Sequence, residues 1–255
     1  MNTDIKKEGK FEYVETGAKS DGKVPLLLLH GLMGALSNFE SILSGFGDKM
    51  NVVIPILPIY NMPLKSLDLD GLVDFIEEFI EFKKFDKVYI LGNSLGGHLA
   101  QMYCLRRPER VEKMILTGSS GLFENAFGNS FPRRSSRDYI RKKTEMVFYD
   151  PKVATEALVD EVFDSVSDLG RCIRIVKTAK SAVRHNLEDK LHLIKTPTLL
   201  VWGVQDEVTP LWVGRKFHEL LSNSTLIEID HCGHAPMMEH PDKFNKALEN
   251  FISSN

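Results

Sequence analysis

The chain has 255 residues, 43% hydrophobic and 26% charged, and carries a net charge of −3. That balance fits one large folded domain, or a domain with an insertion, rather than a disordered chain. The near-neutral charge gives no general pull toward nucleic acid or a membrane surface. In chain order, Met1–Glu15 lacks the apolar core of a secretory leader, and Phe11–Glu15 alternates like an edge strand. Val24–His30 (VPLLLLH) is continuously apolar, as a strand buried on both faces of a parallel sheet must be. Val52–Leu57 is a second such run. Within Ser66–Phe85, Leu72, Phe75, Ile76, Phe79 and Ile80 repeat at helical spacing. A strand at Lys87–Leu91, a helix at Leu95–Arg107 that stops before Pro108, and a strand at Val111–Thr117 follow. Two strands, Thr198–Trp202 and Ser224–Ile229, and two helices, Pro210–Leu221 and Asp242–Ser253, close the chain.

Strands alternating with helices predict an α/β protein with a mostly parallel, doubly wound sheet. One interval breaks the rhythm. About eighty residues separate Thr117 from Thr198, too many for a structureless loop. Helical patterns at Ser136–Phe148, Pro151–Val166 and Leu169–His185 make an α-helical insertion the better reading. The expected organisation is a core of 1–118 and 196–255 with a helical insertion at 119–195.

The chemistry starts at Gly92-Asn93-Ser94-Leu95-Gly96-Gly97, where a strand hands over to a helix. Gly-x-Ser-x-Gly is by itself a common pattern, and a structural turn would use it too. Its context gives it meaning. A sharp strand-to-helix turn crowds the flanking positions, so they need glycine, and it projects the serine hydroxyl above the strand end. A hydroxyl also needs a base. His231 and His234 lie in Ile229-Asp230-His231-Cys232-Gly233-His234-Ala235-Pro236, directly after the last strand and so at the same sheet edge as Ser94. The base needs an acid to hold its tautomer. Asp206 follows the strand TLLVW, with Glu207 as its rival; Asp206 is preferred because it comes first after the turn. The loop His30-Gly31-Leu32-Met33-Gly34 follows VPLLLLH, and its small residues let it pass close to Ser94. The backbone N–H groups of Leu32 and Leu95 are therefore candidates for an oxyanion hole. His30 is read as structural.

With these residues in place, the chain resembles the α/β-hydrolase fold superfamily, of the serine-hydrolase type with a helical cap. "LLLLHGLMGALSNF", "VYILGNSLGGHLAQMYCLRRPERVEKMIL", "IKTPTLLVWGVQDEVTP" and "CGHAPMMEHPDKFNKALENFI" resemble the oxyanion, nucleophile, acid and histidine segments, in that order. The resemblance implies His234 rather than His231, since Gly-His-x-Pro-x-x-Glu-x-Pro falls on His234, Pro236, Glu239 and Pro241. It also sets aside relatives that carry aspartate as nucleophile. C–C bond hydrolases often share Gly-Asn-Ser-x-Gly-Gly but usually have a large aromatic after the histidine; here Ala235 stands there. Leu57–Pro63 also lacks the glycine-rich loop of many relatives.

The resulting expectation is a cytoplasmic Ser94–Asp206–His234 serine hydrolase acting on a small-molecule carboxylic ester through an acyl-enzyme, with no metal or organic cofactor and no membrane segment. The alternatives are a C–C bond hydrolase of a vinylogous diketone ring-fission product and a ligand-binding receptor without turnover. Met33, Phe123, Phe127, Phe131, Tyr139, Phe148 and Met237 are expected to line the pocket. The basic run Arg133–Lys143 is read as a solvated helix face. Cys104, Cys172 and Cys232 are too widely spaced for a disulfide framework or zinc site, and Cys232 is read as structural.

Overall fold

The computed structural model describes residues 4–16, 24–33, 36–123, 133 and 135–254. Phe127, Phe131 and Gly34 lie outside the described residues. The strands are β1 (Lys6–Glu8), β2 (Phe11–Glu15), β3 (Leu26–Leu29), β4 (Val52–Pro55), β5 (Val88–Asn93), β6 (Val111–Thr117), β7 (Thr198–Gly203) and β8 (Ser224–Ile229). They form one sheet in the order β1-β2-β4-β3-β5-β6-β7-β8. β1, β2 and β4 pair antiparallel, and every pair from β4 across to β8 is parallel.

Phe11–Glu15 is therefore not an edge strand, because β1 covers it. β1 escapes a reading by pattern because it is three exposed charged residues, KKE, with no apolar alternation. A short charged strand of this kind also protects an edge from pairing with another chain.

The central strands are apolar throughout because helices cover both faces of the sheet. Side chains alternate between the faces at period two. Leu27, Leu29, Ile90, Leu116, Leu200 and Trp202 point into one core, while Leu26, Leu28, Leu91, Ile115, Leu199 and Val201 point into the other. The helices are α1 (Glu40–Phe46), α2 (Leu69–Phe82), α3 (Leu95–Arg106), α4 (Arg137–Glu145), α5 (Glu156–Ser167), α6 (Leu169–Arg184), α7 (Leu211–Leu220), α8 (Pro236–Glu239) and α9 (Pro241–Ser253). α2, α3 and α7 contribute Phe79, Leu99 and Phe217 to the first core; α1 and α9 contribute Ile42 and Phe244 to the second. α2 starts at Asp68, whose carboxylate accepts the Gly71 N–H at 2.9 Å.

The chain runs outward from β3 to β4, then returns past β3 to β5. The loops leaving β3 and β5 diverge there, opening a crevice above the strand ends. Between β6 and β7 the described residues hold α4, α5 and α6. Among the described residues no helix is long and apolar enough to cross a membrane.

Candidate active site

Ser94 joins β5 to α3 with φ 54° and ψ −119°. A non-glycine residue there carries strain of about 1–3 kcal/mol, which persists only where the surroundings enforce it. Here they do. Ser94 N–H donates to Thr117 O at 3.2 Å, and Ser94 O accepts the N–H groups of Gly97, His98 and Ser120 at 3.0–3.2 Å. The two flanking glycines are steric necessities. A Cβ on Gly92 would lie 2.3 Å from the Gly96 carbonyl, and one on Gly96 would lie 2.0 Å from Leu29 O.

The loop after β3 passes beside this turn. A Cβ on Gly31 would lie 3.4 Å from Ser94 Cβ, and Gly31, Leu32 and Ser94 line the same cavity. Leu95 is the first residue of α3, where a backbone N–H has no intrahelical acceptor and the helix dipole favours negative charge. His30 is buried and ties the loop down. Its Nδ1 donates to Gly31 O at 2.8 Å, and its Nε2 accepts Leu57 N–H at 3.0 Å. Burial holds its pKa below the usual histidine range.

Past β7, the buried Asp206 makes four hydrogen bonds. Oδ1 accepts the N–H groups of Val208 and Thr209, both at 2.8 Å. Oδ2 accepts the Thr209 hydroxyl at 2.9 Å and His234 Nδ1 at 2.8 Å. Trp202 braces the turn by donating its indole N–H to Thr209 O at 2.8 Å. Glu207 is exposed at the cavity rim instead. The imidazole of His234 lines the cavity with Ser94, and Asp206 leaves its Nε2 as the nitrogen available for chemistry. The backbone of His234 is held on both sides. Its N–H donates to Val147 O at 2.7 Å, and its carbonyl accepts the Asn93 amide at 3.2 Å. Asn93 also donates to Thr117 O at 3.0 Å. His231 is exposed and beside Asp230, away from the cavity. The Cys232 thiol is pushed far up by burial and by the Glu239 carboxylate, so it is no nucleophile.

The cavity, about 180 Å³, has Ser94 and His234 on its wall and is otherwise mostly apolar. Of the residues expected at the pocket, Met33, Tyr139 and Phe148 line the cavity. Two expected residues do not. Phe123 turns outward, 42% exposed, with its ring 5.3 Å from that of Trp212. Met237 is fully buried in the second core, and its neighbour Met238 lines the cavity. The reason is the helical turn of α8, which points consecutive residues about 100° apart. Leu158, Val162 and Val166 of α5 line the cavity but escaped the sequence reading. Their spacing of four is a visible stripe, yet it does not say whether the stripe faces core or cavity. Among the described residues no group of three histidine, cysteine or acidic side chains is placed to hold a metal ion.

The sequence profile described as "Alpha/beta hydrolase family" matches residues 26–247. The chain belongs to the alpha/beta hydrolase family. It is an enzyme, a hydrolase. Among alpha/beta hydrolases of known structure, one from the metagenome of lagoon sediments at Mar Chica, Morocco, is 38% identical, with a TM-score of 0.78 and 97% of each chain covered. Among curated alpha/beta hydrolases, 2-hydroxy-6-oxononadienedioate/2-hydroxy-6-oxononatrienedioate hydrolase 1 of Pseudomonas putida is 30% identical over 74% of this chain and 69% of its own. Monoacylglycerol lipase ABHD6 of Bos taurus is 26% identical over 91% of this chain and 76% of its own.

Proposed function

We propose that this hydrolase cleaves a small-molecule carboxylic ester through an acyl-enzyme, with Ser94 as nucleophile, His234 as base, Asp206 as the acid that orients it, and residues 119–195 as a cap on a core of 1–118 and 196–255. The observation that carries this reading is the buried Asp206–His234 hydrogen bond at 2.8 Å, ending in a cavity that Ser94 also lines. Ser94 Oγ attacks the ester carbonyl as its proton passes to His234 Nε2. The carbonyl oxygen becomes an oxyanion facing the N–H groups of Leu32 and Leu95, a contact typically worth about 3–4 kcal/mol per donor. Collapse expels the alcohol, which takes the proton from His234. Water, deprotonated by His234, then attacks the acyl-enzyme, and the acid leaves as Ser94 regains its proton.

Two observations favour an ester over a C–C bond. The substrate in the Pseudomonas putida relative's name is a dioate, with two carboxylates. Among the described residues, the charged side chains that line this cavity, His234 aside, are Lys143 and Glu207, one of each sign, a poor match for a dianion. Asn93, which suggests C–C chemistry in sequence, has its amide engaged in holding Thr117 and His234.

Ser94→Ala is expected to reduce turnover of p-nitrophenyl acetate to background and to abolish labelling by a fluorophosphonate, seen by mass spectrometry. Undiminished hydrolysis would overturn the assignment. Faster turnover of a ring-fission dienoate than of any ester from acetate to decanoate would favour C–C cleavage, and binding without turnover would favour a receptor.

A further inference from the structure

We propose that Glu239 is a positioning residue that fastens the segment between α4 and α5 to the His234 loop, so that the cavity wall and the base keep one fixed relation; its catalytic consequence rests on His234 acting as the base. Glu239 sits at the end of α8, five residues beyond His234. Its carboxylate spans two segments far apart in the chain. Oε1 accepts Gly233 N–H at 2.6 Å and lies 3.8 Å from Cys232 Sγ. Oε2 accepts the N–H groups of Tyr149 at 2.7 Å and Asp150 at 3.2 Å. Bonds of this kind, from N–H donors to an anion, are about twice as strong as neutral ones.

The two segments also touch directly. His234 N–H donates to Val147 O at 2.7 Å, and a Cβ on Gly233 would lie 2.5 Å from that oxygen and 3.0 Å from Phe148 C. Val147 and Phe148 are cavity wall. The segment just past α4 therefore forms part of the substrate wall on its cavity side and the support of His234 on its other side, and Glu239 holds the seam closed. A side chain that merely capped a turn would not bridge both. The amides it accepts come from residues 149 and 150, which enter the short 3₁₀ turn Pro151–Val153, and from the residue preceding the base.

The test is Glu239→Gln, which places an NH₂ group against N–H donors on one side of the seam. Per fluorophosphonate-titrated site, kcat is expected to fall about tenfold to a hundredfold on every ester, as a lost charge-assisted hydrogen bond implies. KM is expected to rise more for long acyl chains than for acetate, because the wall at Val147 and Phe148 loosens too. Hydrogen exchange gives a readout free of catalysis: amides at 147–150 and at 232–234 should lose protection together. A lower unfolding temperature with wild-type kcat, KM and chain-length profile per titrated site would overturn the proposal, as would loss of protection in one segment only. If wild-type protein shows neither ester turnover nor labelling, the ester reading falls, and the exchange data alone decide the coupling. Glu239→Asp keeps the charge but shortens the arm by one methylene. It is read the same way should the glutamine variant fail to fold.

Discussion

Asp206 makes four hydrogen bonds, and only one of them goes to His234. The other three fix the plane of the carboxylate, so that Oδ2 faces the imidazole. Thr209→Val removes the hydroxyl bond to Oδ2 but keeps both backbone bonds to Oδ1. The expected result is a kcat/KM on p-nitrophenyl butyrate lower by about tenfold, the equivalent of one hydrogen bond to a charged group, with the labelling of Ser94 retained. An unchanged kcat/KM would mean that the two amides are enough to aim the carboxylate. At this scale the sequence is legible where covalent geometry dictates residue type. Gly92 and Gly96 flank Ser94 because no Cβ fits at either position, and such a constraint is written in the residues themselves. Thr209 and Trp202 are not legible, since a hydroxyl or an indole N–H names no partner until the turn at 206–209 is folded. Met237 and Met238 make the same point: adjacent and chemically identical, both pack with the second core, but only Met238 reaches the cavity.

At the scale of elements, apolar runs locate the buried strands well, because a sheet covered on both faces leaves no polar positions to confuse the pattern. The pattern fails where burial is absent, at β1, and where elements are too short to show a period, at α1 and α8. The helices between β6 and β7 are visible as periodic segments, but which stripe faces the cavity depends on their packing. α5 shows this most clearly: Leu158, Val162 and Val166 form a row along the cavity. Val162→Phe should shorten the space without disturbing Ser94 or His234. The expected outcome is a chain-length optimum shifted to shorter acyl groups, with acetate hydrolysis within about twofold of wild type, since the change lies in a term shared by ground and transition states. A profile unchanged from acetate to decanoate would show that the acyl chain runs elsewhere in the cavity.

For the whole molecule, the histidines buried near Ser94 tie stability to pH. His98 on α3 is fully buried and donates from Nε2 to His185 O at 2.8 Å. Burial pushes its pKa down to about 4. An unfolded histidine titrates near 6.5. Between those values the unfolded chain binds a proton that the folded chain refuses, so the folded state is favoured above about pH 6.5 and loses that advantage as pH falls toward 4. The shift corresponds to about 3 kcal/mol, and buried His30 works in the same direction. Urea midpoints from pH 7 to 4.5 should fall steeply for the wild type and less steeply for His98→Gln; equal slopes would exclude His98 as the source.

The excursion between β6 and β7 has one more consequence. It leaves and re-enters the sheet at neighbouring strands, Thr117 standing opposite Val201. Loop closure grows only with the logarithm of length, so about eighty residues there cost roughly 2 kcal/mol more than ten would. The fold can therefore host very different insertions at this doorway for nearly the same thermodynamic outlay, while the machinery on the strand ends stays put. In such an architecture the groups on the strand ends and the walls above them can change independently.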